Sequence, residues 1–285
     1  MTITQSVADR PPVERAAVRR AWRPFGPSRS ISRRSYLTIA ACSFVVLVAV
    51  WSLVSALGLT DELFLPSPLS IVERLVEQAQ NGQLWDDMGT SVYRVLCGYL
   101  LAVVVALPIG MLAGVSAKVE AATEPIVDFV RYMPVVAFVP LTILWVGIGD
   151  PQKFLIIWMG TYFQLVLMVS DAVRQVPRSY IDLGATLGMP YRSVLRQIVL
   201  PASLPRVWDA LRISLGWAWT WLVVAELVAA STGMGYRIMQ AQRYFASDLI
   251  IAYVLVLGLL GLVFDQLMRA AGRRMFRYQR MGARA

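Results

Sequence analysis

Six stretches of about twenty predominantly apolar residues recur along the chain, and no other feature of it constrains the fold as strongly. A helix rising about 1.5 Å per residue needs that length to cross a bilayer core of roughly 30 Å. Inside hydrocarbon every backbone N–H and C=O must find its partner within the protein, so only helices and closed barrels can span. Blocks of this length read as helices. They run over about 36–57, 92–115, 126–148, 154–173, 207–230 and 249–270. Composition agrees, with 57% hydrophobic and 16% charged residues against roughly 45–50% and 25% in soluble domains. The expected fold class is an all-α membrane protein with six transmembrane helices.

Charge sets the expected orientation. The formal net charge of +9 raises nucleic acid as a partner, but the cations are not spread as a nucleic-acid surface would spread them. They crowd the tail before Tyr36, the connection from Arg174 to Arg212, and the end from Arg269 to Arg284. Those are the segments that the positive-inside rule fills when all three face the cytoplasm. The charge therefore reads as a topology signal and a contact for anionic membrane lipid, with no nucleic acid involved. Both termini are then cytoplasmic. The chain divides into a basic, proline-interrupted tail (1–35) expected to be retained and disordered, a six-helix membrane domain (36–270) and a basic C-terminal tail (271–285).

Between the first two spans, Pro66-Ser67-Pro68 leads into a short amphipathic helix with Ile71, Leu75 and Ala79 at helical spacing. The third span carries Pro134 and Pro140, which membrane helices tolerate where neighbours re-satisfy the freed backbone groups. Between spans four and five lies "DLGATLGMPYRSVLRQIVLP", Asp182 to Pro201, where arginines interrupt the apolar residues. Asp182 is expected near a helix start, favoured by the dipole there. Gly188 ends or bends that helix, and Pro190 opens a second one with Tyr191, Val194, Leu195 and Ile198 on one side. Pro201 and Pro205 are expected to stop it. Two readings are open: an element that docks into a groove on another protein, or a loop lying on lipid headgroups.

This segment (178–201) resembles the cytoplasmic motif of permease subunits of binding-protein-dependent ABC importers. That motif runs Glu-Ala-Ala, three residues, Gly, nine residues, Ile, one residue, Leu-Pro. Here Gly188, Ile198, Leu200 and Pro201 match its second half. In the first half Asp182 stands for glutamate and Leu183 for alanine, ahead of Ala185. "FLPSP", "PVVAFVPLTILWVGIG" and "AELVAASTGMGYRIMQAQ" are similar to the branch that imports taurine, alkanesulfonates and nitrate. The resemblance implies a type I ABC importer permease fold in a bacterial inner membrane. It also implies a second permease copy, two cytoplasmic ATPase subunits carrying ATP and Mg, and an extracytoplasmic substrate-binding protein. Asp182, Ala185, Gly188, Arg192, Ile198, Leu200 and Pro201 would form the coupling segment against the ATPase.

The residues themselves offer no Gly-x-x-x-x-Gly-Lys-Ser/Thr phosphate loop and no histidine. Cys42 and Cys97 lack metal-ligand spacing and read as structural. Hence no cofactor, no metal and no catalytic residue is expected in this chain, and an intramembrane enzyme lacks its paired groups. An ion-coupled secondary transporter is the main rival, against which stands the absence of a convincing internal duplication. Candidate pathway residues are Arg131, Tyr132 and Met133 before Pro134, with Gln164 and Thr161 as weaker candidates. Arg131 reads either as compensation for an anion's charge or as a cation snorkelling to the interface. Glu226 lies inside the fifth span and reads either as a pathway or gate residue or as one half of a structural pair with an arginine. Trp217, Trp219 and Trp221 alternate and would spread around the helix axis, as packing or interface anchors.

Overall fold

A computed structural model describes residues 32–276. Most of the expected N-terminal tail, and residues 277–285 of the C-terminal one, fall outside the described residues. The chain divides into two units between Val54 and Ser55. The first is represented by α1 (Arg33–Ala56), apolar around its circumference, with mostly exposed side chains.

The second unit holds the remaining helices. They are α2 (Pro68–Gln80), α3 (Gln83–Val115), α4 (Ala117–Arg131), α5 (Val139–Val146) and α6 (Asp150–Arg174), then α7 (Arg178–Thr186), α8 (Tyr191–Val194), α9 (Leu200–Ala229), α10 (Met234–Arg243) and α11 (Ser247–Met275). Five helices among the described residues are long and apolar enough to cross a membrane: α1, α3, α6, α11 and the run from Tyr191 to Val228. A sixth crossing exists if α4 and the segment 135–146 count as one bent span.

The third span is therefore not the single helix expected over 126–148. Its first part begins at Ala117, stops at Arg131, and meets the second part at 86°. Pro134 is the cause: with no N–H, it cannot reach the Val130 carbonyl that an α-helix would assign to it. Met133 N–H takes that carbonyl instead at 2.9 Å, and a 3₁₀ turn (Val135–Phe138) restarts the chain toward α5. Pro140, the second residue of α5, needs no donor there.

The core is a stack with α6 between α3 and α9. Its closeness is written in α3, where Gly98, Ala102, Ala106, Gly110 and Gly114 recur every fourth residue. A Cβ at Gly110 would sit 2.7 Å from the Val166 carbonyl oxygen, and one at Gly98 2.7 Å from Ile157 Cβ. Small residues let the two backbones approach, and dispersion then holds them where lipid offers no hydrophobic drive. On the other side, Val95, Tyr99 and Ile157 join Leu215, Ala218 and Leu222 of α9 in one buried cluster.

α3 also begins about nine residues before its apolar block. Its polar first turns are buried at their Asp87, Ser91 and Arg94 positions, because they pack against α10 and the loop before it. α2 follows its expected pattern: Ser67 caps it by accepting from Ser70 N–H at 3.1 Å. Its Ile71 is buried, with Leu75 and Ala79 packed on the α10–α11 cluster. α11 continues to Met275, five residues past the expected end of the membrane domain.

Candidate functional site

Three assemblies in the second unit bear on function. The first is a cavity of about 450 Å³ between the α4–α5 break and the middles of α6 and α9. The broken third span makes it, since turning the chain at Pro134 leaves space where a continuous helix would have run. Arg131, Tyr132, Met133 and Gln164 all line it, so four of the pathway candidates are brought together. Thr161, fully buried, does not line it. Arg131 Nε lies 3.0 Å from Asp128 Oδ1, and its Nη2 donates to the Tyr132 hydroxyl at 3.0 Å. Trp217 and Trp221, one turn apart on α9, form a wall, whereas Trp219 points elsewhere and packs on Phe264 with ring centroids 5.5 Å apart. The tryptophans thus spread around α9 as their alternation requires. A Cβ at Gly160 would overlap the Trp221 ring, so this indole rests on bare α6 backbone.

The second assembly is a buried polar clasp at the N-terminal end of α3. Glu226, 1% exposed, does not line the cavity but lies here. Arg94 Nη1 donates to it at 2.9 Å, Ser91 Oγ at 2.9 and 3.0 Å to its two oxygens, and Gly235 N–H at 2.8 Å. Arg94 is in turn filled: Nε reaches Asp150 Oδ1 at 2.7 Å, and the Nη atoms reach the Thr232 carbonyl and hydroxyl at 2.6 and 3.1 Å. One turn away, Asp87 accepts from Arg237 Nε and Tyr253 Oη, each at 3.0 Å, and from Gly233 N–H at 3.2 Å. A buried charge persists only when paired and hydrogen-bonded, and here both conditions hold for each. The loop closes over Glu226 because residues 233 and 235 are glycines. A Cβ at Gly233 (φ +104°) would collide with the carboxylate, and one at Gly235 would stand 2.6 Å from Glu226 Cβ. The geometry around Glu226 is that of a structural pair, and its partner is Arg94. Sequence reading did not single out Arg94 or Asp87. Both sit outside or at the edge of the apolar blocks, and the one available signal was a charged side chain on the first turns leading into a span.

The third assembly is the segment between α6 and α9. α7 starts at Arg178 with Pro177 as its cap, so Asp182 lies past the first turn and is no helix-start residue. Gly188 takes φ +68°. Its N–H donates to Ala185 O and Met189 N–H to Gly184 O, both at 3.0 Å, the paired bonds of a Schellman ending. Open space surrounds Gly188, so its glycine serves backbone conformation here. The close approach belongs to Gly184 instead, where a Cβ would stand 2.9 Å from Val194 Cγ2 and 3.0 Å from Ile198 Cδ1. Pro201 and Pro205 do not stop the second helix. The chain runs from α8 through a π turn (Leu195–Val199) directly into α9. Leu200 N–H bonds back to Leu195 O in the wider π ring just ahead of Pro201, and Pro205 is carried inside α9. Val194 and Val199 pack on Val173 and Val176, while Leu183, Leu187, Tyr191 and Arg192 stay exposed.

A helical membrane unit with a cavity at a broken span, and a turn-linked helical segment projecting between two spans, defines a membrane transport component. The family of inner membrane components of binding-protein-dependent transport systems matches over residues 106–277. A probable ABC transporter permease protein of Brucella abortus (strain 2308) is 36% identical over 248 residues, 87% of this chain and 98% of that one. The putative aliphatic sulfonates transport permease protein of Bacillus subtilis (strain 168) is 32% identical over 234 residues, 82% and 85% of the two chains. Among solved structures, an inward-facing methionine ABC transporter superposes with a TM-score of 0.55 at 22% identity, over 66% of this chain and 92% of that one. The chain belongs to this permease family, with its type I importer fold.

Proposed function

We propose that the chain forms half of the translocation pathway of an ATP-driven importer for a small anion such as taurine, an alkanesulfonate or nitrate. An extracytoplasmic binding protein delivers the solute, and separate cytoplasmic subunits bind ATP and Mg and hydrolyse the nucleotide. Both termini face the cytoplasm, with the segment 178–201 docked on the ATPase. Closure of the ATPase pair then moves this segment and, through α6 and α9, the cavity walls as a rigid body.

The observation that carries this reading is the 178–201 segment. On either side of its Gly188 ending Leu183, Leu187 and Tyr191 are exposed, while Val194 and Val199 pack on Val173 and Val176. An exposed apolar group on a rigid mount suits a partner's groove. The direct test is Gly188→Arg. A bulky residue strained at φ +68° should disrupt the ending while the spans keep their own packing. The variant is expected to insert in the membrane, lose the ATPase on purification and fail in uptake. ATPase retained in wild-type amounts together with normal uptake would remove the coupling role.

A further inference from the structure

The cavity at the broken span has a composition that narrows its occupant. Of its fourteen lining residues one, Arg131, carries a formal charge. Uncharged polar groups are few, chiefly Tyr132, Gln164 and Thr220, and the remainder is dominated by aromatic and apolar side chains. Gly160 and Gln164 are the eleventh and fifteenth residues of the 25-residue α6, which places them roughly 15–21 Å along a helix crossing a core of about 30 Å. Arg131 faces the same space. An arginine at the break of a bent span is costly and is kept where it meets water, a partner or a solute.

The guanidinium is oriented but not enclosed. Asp128, on the same helix and outside the lining, holds Nε, and Tyr132 holds Nη2 through its hydroxyl. Both Asp128 and Arg131 are partly exposed, a setting in which an ion pair is weak and an incoming anion competes for the cation. Facing it, the Trp221 indole is laid on the Gly160 backbone, with Trp217 one turn along α9. Phe163 is fixed by an edge contact to Tyr162, centroids 4.9 Å apart. These walls are broad and apolar. A volume of about 450 Å³ falls in the usual range of organic-ligand sites, about 300–1,000 Å³, and far exceeds what a three-oxygen inorganic anion fills.

We propose that this cavity is a selecting site within the permease for organic anions. The charged head, sulfonate or carboxylate, is held at Arg131, Tyr132 and Gln164, and an alkyl or aryl body lies against Trp217, Trp221 and Phe163. The proposal rests on the reading of the chain as a small-anion permease and adds the requirement for an apolar body. A sulfonate without one would leave the indole faces hydrated and forfeit their contribution.

The test is calorimetric titration of the purified permease–ATPase complex in nanodiscs, without binding protein, using hexanesulfonate, methanesulfonate, nitrate and hexylammonium. Hexanesulfonate is expected to bind at least tenfold more tightly than methanesulfonate or nitrate, and hexylammonium not to compete. Arg131→Gln should weaken hexanesulfonate at least tenfold, with Arg131→Lys recovering part of that. Trp217→Ala should shrink the preference for the longer chain while methanesulfonate binding stays unchanged. Equal binding of the two sulfonates, undiminished binding by Arg131→Gln, or tight hexylammonium binding would each overturn the organic-anion site. Nitrate bound at Arg131 as tightly as hexanesulfonate would overturn it too, yet leave the small-anion reading standing. A permease that retains no ATPase on purification would instead fail at the underlying reading.

Discussion

Glu226 and Arg94 show how a single intramembrane charge is made tolerable. Each is buried, and each has its polar atoms met by the other, by Ser91, by the Thr232 side chain and backbone, and by Gly235 N–H. Breaking such a buried pair costs up to about 3–5 kcal/mol, and loss of Glu226 leaves Arg94 with Asp150 as its remaining anionic partner. Glu226→Ala is therefore expected to lower the unfolding midpoint of the solubilised protein sharply. Glu226→Gln should cost less, since an amide still meets the Ser91 and Gly235 donors in part. Pairing Glu226→Ala with Arg94→Ala should be less harmful than the two single losses summed. A double variant whose loss equals that sum would show that the two residues do not act together. Gly233→Val tests the lid separately: the added side chain collides with the carboxylate at a strained φ, and instability like that of Glu226→Ala is expected. The intramembrane carboxylate was legible in the sequence, and pairing with an arginine was one of its two readings. Which arginine was not legible, because Arg94 lies 132 residues away and only the packing of α3 against α9 and α10 brings it near.

At the scale of elements, the sequence exposed helices through apolar length and hid whatever depended on a neighbour. The spans corresponding to α1, α3, α6, α9 and α11 were evident as blocks, and α2 showed its inner face through Ile71, Leu75 and Ala79. The polar start of α3 was missed because its burial comes from partners and not from hydrophobicity. The prolines of the third span were visible, but the 86° break exceeds what a proline alone announces, since the 3₁₀ restart at Val135 adds to it. In the segment 178–201, Gly188 was read correctly as a helix ending, whereas the stop at Pro201 was wrong because the chain passes through a π turn directly into α9. The four-residue recurrence of Gly98, Ala102, Ala106, Gly110 and Gly114 was present but not used. It yields a clear expectation: Gly110→Leu forces α3 off the α6 backbone at Val166 and Val169. Gly216→Leu, on α9 with open space around it, serves as the matched control. Protease resistance of the folded membrane domain should fall for the first and hold for the second. Equal resistance in both would mean the α3–α6 approach does not support the fold.

At the scale of the whole molecule, the second unit presents the cavity at the broken span and, between α6 and α9, the segment 178–201. The walls come from α6, α9 and the α4–α5 break, and Arg131, Tyr132 and Trp217 remain partly or largely exposed within them. Charged and aromatic groups left open in a cavity call for a second surface, and a copy of the same chain related by a two-fold axis supplies one with the commonest closed symmetry. Such pairing would also place two docking segments on one side, one for each ATPase. The expected assembly is a homodimer with two ATPase subunits. Mass measurement of the intact purified complex checks this: two identical permease chains per ATPase pair are expected. A single permease chain, or a second permease of different mass, would refute it. A sharper version uses depth. Cysteines introduced at Tyr132, in a background lacking Cys42 and Cys97, should face each other across the pathway and cross-link through a flexible reagent. Cysteines at Leu100, exposed on the outward side of α3, should not. Cross-linking at Leu100 with none at Tyr132 would place the partner on the opposite face and leave the cavity open to lipid, an arrangement in which Arg131 could not serve a shared pathway.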